Sequence, residues 1–125
     1  MRYTFPKSEK LKSKLAIQQL FVDGKSFGAY PLVLRYSLRP MSNESVHYQA
    51  AFVVPKKKIK QATHRNSEKR KIKEAYRLAK HKLAIPQGKC LHLLFIYLSA
   101  ESSPYAQIEK SVEKIIAHVN NELLG

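Results

Sequence analysis

The run Cys90–Ser99, CLHLLFIYLS, limits what this chain can fold into more than any other stretch in it. It is apolar nearly throughout and does not alternate. A strand with one wet face alternates, so one that does not must be covered on both faces. The run is also only about half of what a membrane-spanning helix needs. It predicts a central strand with neighbours beside it and further structure above and below. The 125 residues, 44% of them hydrophobic, suffice for one core of that kind and not for two. Residues 1–125 are therefore expected to form one domain, with residues 1–6 extended or disordered.

The remaining elements follow from periodicity and punctuation. Lys7–Val22 carries Leu11, Leu15, Ile17, Leu20 and Phe21, with Ser8 as N-cap and Asp23-Gly24 as a stop, which predicts a first helix of modest amphipathicity. Pro31–Leu38 is rich in strand formers and leads into a polar turn, Arg39–Ser45. His47–Val54 reads as the returning strand, so the two are expected to pair as an antiparallel hairpin, with Ser26 and Phe27 adding a short edge strand. A second helix is predicted from Thr63–Arg65 to about Leu83, ended by Pro86-Gln-Gly88. A last helix begins at Pro104 behind Ser102 or Ser103, with Ile108, Val112, Ile115, Ile116 and Val119 on one face up to Leu124. The sum is an α+β fold in the order α-β-β-β-α-β-α.

Charge comes next. Lysine and arginine number 23 against 9 acids, a formal +14. Twelve of those cations, with only Glu68 and Glu74 to oppose them, lie between Lys56 and Lys82. On a helical wheel Ile72, Ala75, Tyr76, Ala79 and Leu83 form an apolar stripe. Arg65, Lys69, Arg70, Lys73, Arg77 and Lys80 occupy an adjoining arc of roughly 140°, Arg65 overlapping the stripe and both acids falling outside the arc. Charge this concentrated points at a polyanion. The apolar stripe reads as ordinary core rather than a membrane-binding face, which favours nucleic acid over lipid.

A solvated face is the ordinary account of a lysine-rich helix. Against it, Arg65 and Asn66 stand where the helix begins. There a cation opposes the dipole, whereas a phosphate is drawn to the free N–H groups. The lysines Lys56–Lys58 converge on the same region. The segment from Ser99 onward has formal charge −2 and is not that surface.

Catalysis by the chain itself finds no support in the residues. The five histidines are scattered without metal-ligand spacing, no metal site is expected, and no glycine falls in a phosphate-loop pattern. Glu68 and Glu74 are accounted for by pairing with neighbouring lysines on the helix surface. Cys90 reads as a buried, reduced thiol. With an N-terminus that lacks a signal-peptide core, that implies a cytoplasmic protein. Aromatics cluster in the first helix and the hairpin, and stacking on them holds unpaired bases at roughly 1–3 kcal/mol per base. Core burial competes for each: Phe52 reads as core or close to it, and Tyr36, whose hydroxyl favours the edge of its strand face, as the better platform.

RNSEKRKIKEAYR, preceded by FVVPKKK, resembles the signature of bacterial ribonuclease P protein subunits. Members carry a strand ending in lysines and then an Arg-Asn-x-x-Lys-Arg-x-x-(Arg/Lys)-Glu helix, which falls here on Arg65, Asn66, Lys69, Arg70, Lys73 and Glu74. LFVDGKS is similar to the family's exit from its first helix, and element order and length agree. Ser67 stands where the family often has arginine, Ile17 where it commonly has an aromatic, and three lysines replace the commoner pair.

The resemblance implies a small basic protein bound one-to-one to a large catalytic RNA. That RNA, with Mg2+ held mainly by the RNA, removes the 5′ leader from precursor tRNA. The protein contributes leader binding and better metal affinity, and alone is expected to be inactive. It implies an α/β sandwich with a left-handed βαβ crossover around the second helix, against the usual hand. The implied RNA-binding residues are Lys56, Lys57, Lys58, Arg65, Asn66, Lys69, Arg70, Lys73 and Arg77. A cleft between the first helix and the sheet takes the leader, with Ile17, Phe21, Tyr36 and Phe52 as its candidates. A structural ribosomal protein would explain the charge but not the ordered motif, and a protein nuclease would need an active-site constellation that the chain lacks.

Overall fold

A computed structural model describes residues 9–40 and 47–124. The expectations for residues 1–6 and for most of the Arg39–Ser45 turn lie outside them. Along the chain run α1 (Lys14–Asp23), β1 (Lys25–Ala29), β2 (Leu32–Pro40), β3 (Tyr48–Val53), α2 (Ala62–Ala79), β4 (Lys89–Tyr97) and α3 (Tyr105–Leu124), with one 3-10 turn at Lys80–Lys82 after α2. This is the α+β order expected.

The strands form one sheet in the order β1-β2-β4-β3. β4 is central, as its unbroken apolar run requires, with Leu91, Leu93, Leu94 and Phe95 all fully buried. β2 pairs with it antiparallel, from Leu32 opposite Tyr97 to Pro40 opposite Lys89. β3 pairs with its other side in parallel, from Tyr48 opposite Leu91 to Val53 opposite Ile96. The expected β2–β3 hairpin is therefore absent. A strand buried on both faces also needs both edges filled, and β4 takes that place between the two. The parallel β3–β4 pair needs a long crossover, and α2 supplies it. The edge strand at Ser26 and Phe27 is present as β1, antiparallel to β2.

One face of the sheet carries the main core. Leu32, Leu34, Tyr36, Ala50, Leu91, Leu93, Phe95 and Tyr97 meet Ile72, Tyr76 and Ala79 of α2 and Ile108, Val112, Ile115 and Val119 of α3. The opposite face carries a small cluster of Leu11, Leu20 and Leu94, with Ala16, Ile17, Ala51 and Ile96 around it.

The first helix starts later than expected, because the residues before it are used as an edge. Lys10 bridges Ala50 in parallel, and the Leu11 amide donates to the Ala50 carbonyl at 2.9 Å. Ser13, not Ser8, is the N-cap, its hydroxyl accepting from the Ala16 amide at 3.2 Å. Leu11 thus enters the minor cluster from an extended segment, which a helical wheel cannot anticipate.

Glu68 departs from the surface role expected of it. It lies in the middle of the apolar face of α2 and is fully buried. Its carboxylate accepts from the Ser103 amide (3.0 Å), the Ser102 hydroxyl (3.1 Å) and the Lys71 ammonium (3.0 Å). Lys71 also donates to the Ser103 carbonyl at 2.7 Å. Burial pushes the carboxyl's pKa up, but these hydrogen bonds and the Lys71 charge outweigh it and hold the pKa below the ordinary value. The group fastens the entry of α3 to α2.

Candidate nucleic-acid interface

β3 ends at Val53, and the chain turns at Pro55, whose carbonyl accepts from the amides of Lys58 and Ile59 at 3.0 and 3.1 Å. Lys56, Lys57 and Lys58 are exposed on that turn, while Ile59 is buried behind it as an anchor. Arg65 ties the turn to α2: its Nη1 donates to the carbonyls of Ile59 (3.1 Å) and Lys60 (2.7 Å). Arg65 overlaps the apolar stripe for this reason, holding the lysine turn with one edge of its guanidinium.

Beyond Arg65, Asn66, Lys69, Arg70 and Lys73 line one shallow groove along α2. Asn66, Arg70 and Lys73 are exposed and Lys69 is half-buried. Among the described residues no carboxylate pairs with Lys69, Arg70 or Lys73. Arg77, farther along, is held by Glu74, with Nε donating to Oε2 at 3.2 Å. That bond, together with each partner's charge, raises the arginine's pKa and lowers the glutamate's. Lys80 leaves the basic arc altogether. It is 2% exposed, paired with Glu9, and lies 5.5 Å from the centre of the Tyr48 ring. The structure thus brings Asn66, Lys69, Arg70 and Lys73 into one groove and ties the Lys56–Lys58 turn to the start of α2 through Arg65. It leaves Arg77 outside that groove, neutralised by its neighbour.

The four residues expected to line one cleft do not share a face of the sheet. Ile17 and Phe21 stand one turn apart on α1. Tyr36 and Phe52 belong to the opposite face, in the main core. Tyr36 is 4% exposed there, its hydroxyl pKa raised by burial and by Glu122. The Phe52 ring packs on those of Phe95 and Tyr76, with centroids 5.5 and 5.8 Å away. Strand alternation decides this: Leu34 and Tyr36 point one way, and Arg35 the other.

What borders α1 instead is a row of three apolar side chains from three strands. Val33 and Val53 flank Ile96 in register, and Val53 is 38% exposed. Ile17 packs in the same cluster as Ile96, and Phe21 beside it is 54% exposed. The row ends where β3 hands over to the lysine turn, so an apolar shelf and a cationic loop adjoin.

Sequence reasoning missed Arg35. Its Nε donates to the Leu20 carbonyl (2.8 Å) and its Nη2 to those of Phe21 (3.1 Å) and Gly24 (3.3 Å). The guanidinium carbon lies 5.5 Å from the centre of the Phe21 ring. A lone charge in the middle of an apolar strand was the available signal. Among the described residues no helix is long and apolar enough to cross a membrane, and no three metal-binding side chains come together.

The family model Ribonuclease P matches residues 5–120. The ribonuclease P protein component of Porphyromonas gingivalis is 34% identical over 117 residues, covering 90% of this chain and 84% of its own. The ribonuclease P protein of Staphylococcus aureus superposes with a TM-score of 0.69 at 20% identity, covering 95% of this chain and 100% of that one. That of Thermotoga maritima gives 0.69 at 21%, covering 88% and 96%. At those identities the two structures speak to the fold alone.

Proposed function

The chain belongs to the family of bacterial ribonuclease P protein components, and from that premise we propose that the groove of α2 and the Lys56–Lys58 turn seat the catalytic RNA, while the shelf beside α1 holds the 5′ leader of precursor tRNA. Processing of tRNA 5′ ends is the family's role, as one component of a ribonuclease that works with an RNA partner. The observation that carries the assignment of surfaces is the groove of Asn66, Lys69, Arg70 and Lys73, with no carboxylate among the described residues set against its cations.

A phosphate backbone supplies the missing negative charge, and each neutralised phosphate releases counterions, so the contact is salt-dependent. The adjoining shelf suits a different ligand. An unpaired strand presents base faces, which need apolar or aromatic platforms with a few cations nearby. Phe21, Ile17 and the Val33–Ile96–Val53 row supply the platforms, and Lys56–Lys58 the cations. Tyr36 and Phe52 act from beneath, holding the sheet that carries the row.

Mg2+ is a hard cation that seeks oxygen ligands. A groove of lysine and arginine around one asparagine does not fit it, so the residues of this groove are not its ligands. Their part is to bind and orient the RNA.

The test is reconstitution. The purified chain alone is expected not to cleave precursor tRNA, and adding its cognate catalytic RNA with Mg2+ is expected to restore 5′ maturation near physiological salt. Cleavage by RNA-free protein, surviving ribonuclease treatment, would overturn the reading.

A further inference from the structure

Arg35 occupies an unusual position for a charged residue, in mid-strand on β2 with its guanidinium beneath the last turn of α1. Three carbonyls at the helix end accept from it, those of Leu20, Phe21 and Gly24. The Leu20 carbonyl also accepts from the Gly24 amide at 3.1 Å, and carbonyls at a helix C-terminus carry partial negative charge, so a cation there is favourable. The backbone at this point is packed tightly: a Cβ on Gly24 would come within 2.4 Å of the Leu20 carbonyl oxygen. The helix end therefore has one closely defined geometry, with Arg35 as its peg.

Phe21 hangs from that same turn, 54% exposed and 5.5 Å from the Arg35 guanidinium. An exposed phenylalanine on a ten-residue helix would ordinarily sample several rotamers. Here one side of the ring meets a planar cation whose Nε and Nη2 are engaged by the backbone, and a cation over a ring face is attractive. More than half of the Phe21 surface is left exposed.

We propose that Arg35 is a positioning residue for the single-strand site: it fixes the end of α1 and backs one face of the Phe21 ring, so that the other face receives an unpaired base. This rests on the reading above that the surface beside α1 holds the leader. The Nε–Nη2 edge of Arg35 is spent on carbonyls and is closed to a phosphate fork, so that edge acts on the site through the helix end and Phe21.

The experiment measures the affinity of the assembled protein–RNA complex for precursor tRNA and for mature tRNA, with Phe21→Ala, Arg35→Met, Arg35→Lys and the Phe21→Ala/Arg35→Met double variant. Phe21→Ala should weaken precursor binding roughly 5- to 30-fold, as loss of one stacked base does, and leave mature tRNA within about twofold. Arg35→Met should lose several-fold of the same preference, and the double variant should be no worse than Phe21→Ala alone. Arg35→Lys keeps the charge but neither the planar face nor the three bonds, so it should behave like Arg35→Met.

If Phe21→Ala leaves the preference for precursor unchanged, the leader surface itself has been misplaced and the proposal falls with it. If Phe21→Ala weakens precursor binding but the Arg35→Met effect multiplies with it, falls equally on mature tRNA, or is rescued by lysine, only the positioning role is overturned. Thermal melts on each variant, with Arg35→Lys as the milder one, separate a lost platform from a lost fold.

Discussion

On one face of the sheet α2 and α3 close over Leu34, Leu93 and Phe95 until none of them reaches water, whereas on the other α1 closes over Leu94 and leaves Val53 and Phe21 substantially exposed. Each face draws on the same strands, residue by alternate residue. The difference is in what covers them: two helices of 18 and 20 residues against one of ten. Burial at about 25 cal/mol per Å2 of apolar area makes the first face the source of stability. The second is left with apolar side chains that a ligand can still cover. Stability is thus concentrated on one side of the sheet and the uncovered apolar side chains lie on the other, while the charged groove of α2 faces outward from the stable side.

The largest effect expected is on the closed face. Phe95→Ala should cost about 3–5 kcal/mol in urea unfolding, and Phe21→Ala under about 1 kcal/mol. Equal losses would mean that the two faces are not divided as described. Glu68→Ala comes next, at about 2–3 kcal/mol, because it leaves the buried Ser103 amide without its acceptor and removes one acceptor from the Ser102 hydroxyl and the half-buried Lys71 ammonium. The lowered Glu68 pKa gives this contribution a sign. It is present above the unfolded value, about pH 4.3 for glutamate, and is lost as the pH falls through the lower folded value. Acid unfolding of the wild type should therefore show a loss in that window which the Glu68→Ala protein lacks.

A smaller effect, and one on binding alone, is expected from Lys69, Arg70 and Lys73 together changed to alanine. The slope of log affinity for the catalytic RNA against log salt should fall by about one unit per lost contact, with the melting temperature nearly unchanged. The smallest concerns the outer side of α1, where Leu15 is 67% and Val22 84% exposed. Leu15→Ser and Val22→Ser should each shift stability by no more than about 0.5 kcal/mol. A larger shift would show that α1 contributes to the core by more than Leu20.

The helices and the central strand were legible because each is specified locally. α2 shows an apolar stripe beside a basic arc, and β4 shows an unbroken apolar run. Strand pairing was not, since PLVLRYSL and HYQAAFVV look the same whether they meet each other or meet a third strand between them. The same locality misled at α1, where Leu11 fits a helical stripe yet reaches the cluster from an edge segment tied to Ala50. At the site, the cations of α2 could be read off a wheel, but Tyr36 and Phe52 could not be placed until the sheet's covered faces were known. Two buried charges had a visible sign. Glu68 falls within the apolar stripe, and Lys80 lies beside Tyr76 at its edge, so each could have been marked as needing a partner.

The central place of β4 has a consequence for how the chain is made. Synthesis runs from the N-terminus, so β1, β2, β3 and the whole of α2 leave the ribosome before Lys89 does. Until β4 follows, β1 and β2 can form a hairpin, but β3 has no sheet to join beyond its bridge to Lys10, and the apolar side of α2 has no floor. The last-made strand is thus the one that completes the sheet on both sides at once, and contacts so distant in sequence form slowly. The densest positive charge in the molecule is exposed to the RNA-rich surroundings of its own birth before the fold that will orient it exists.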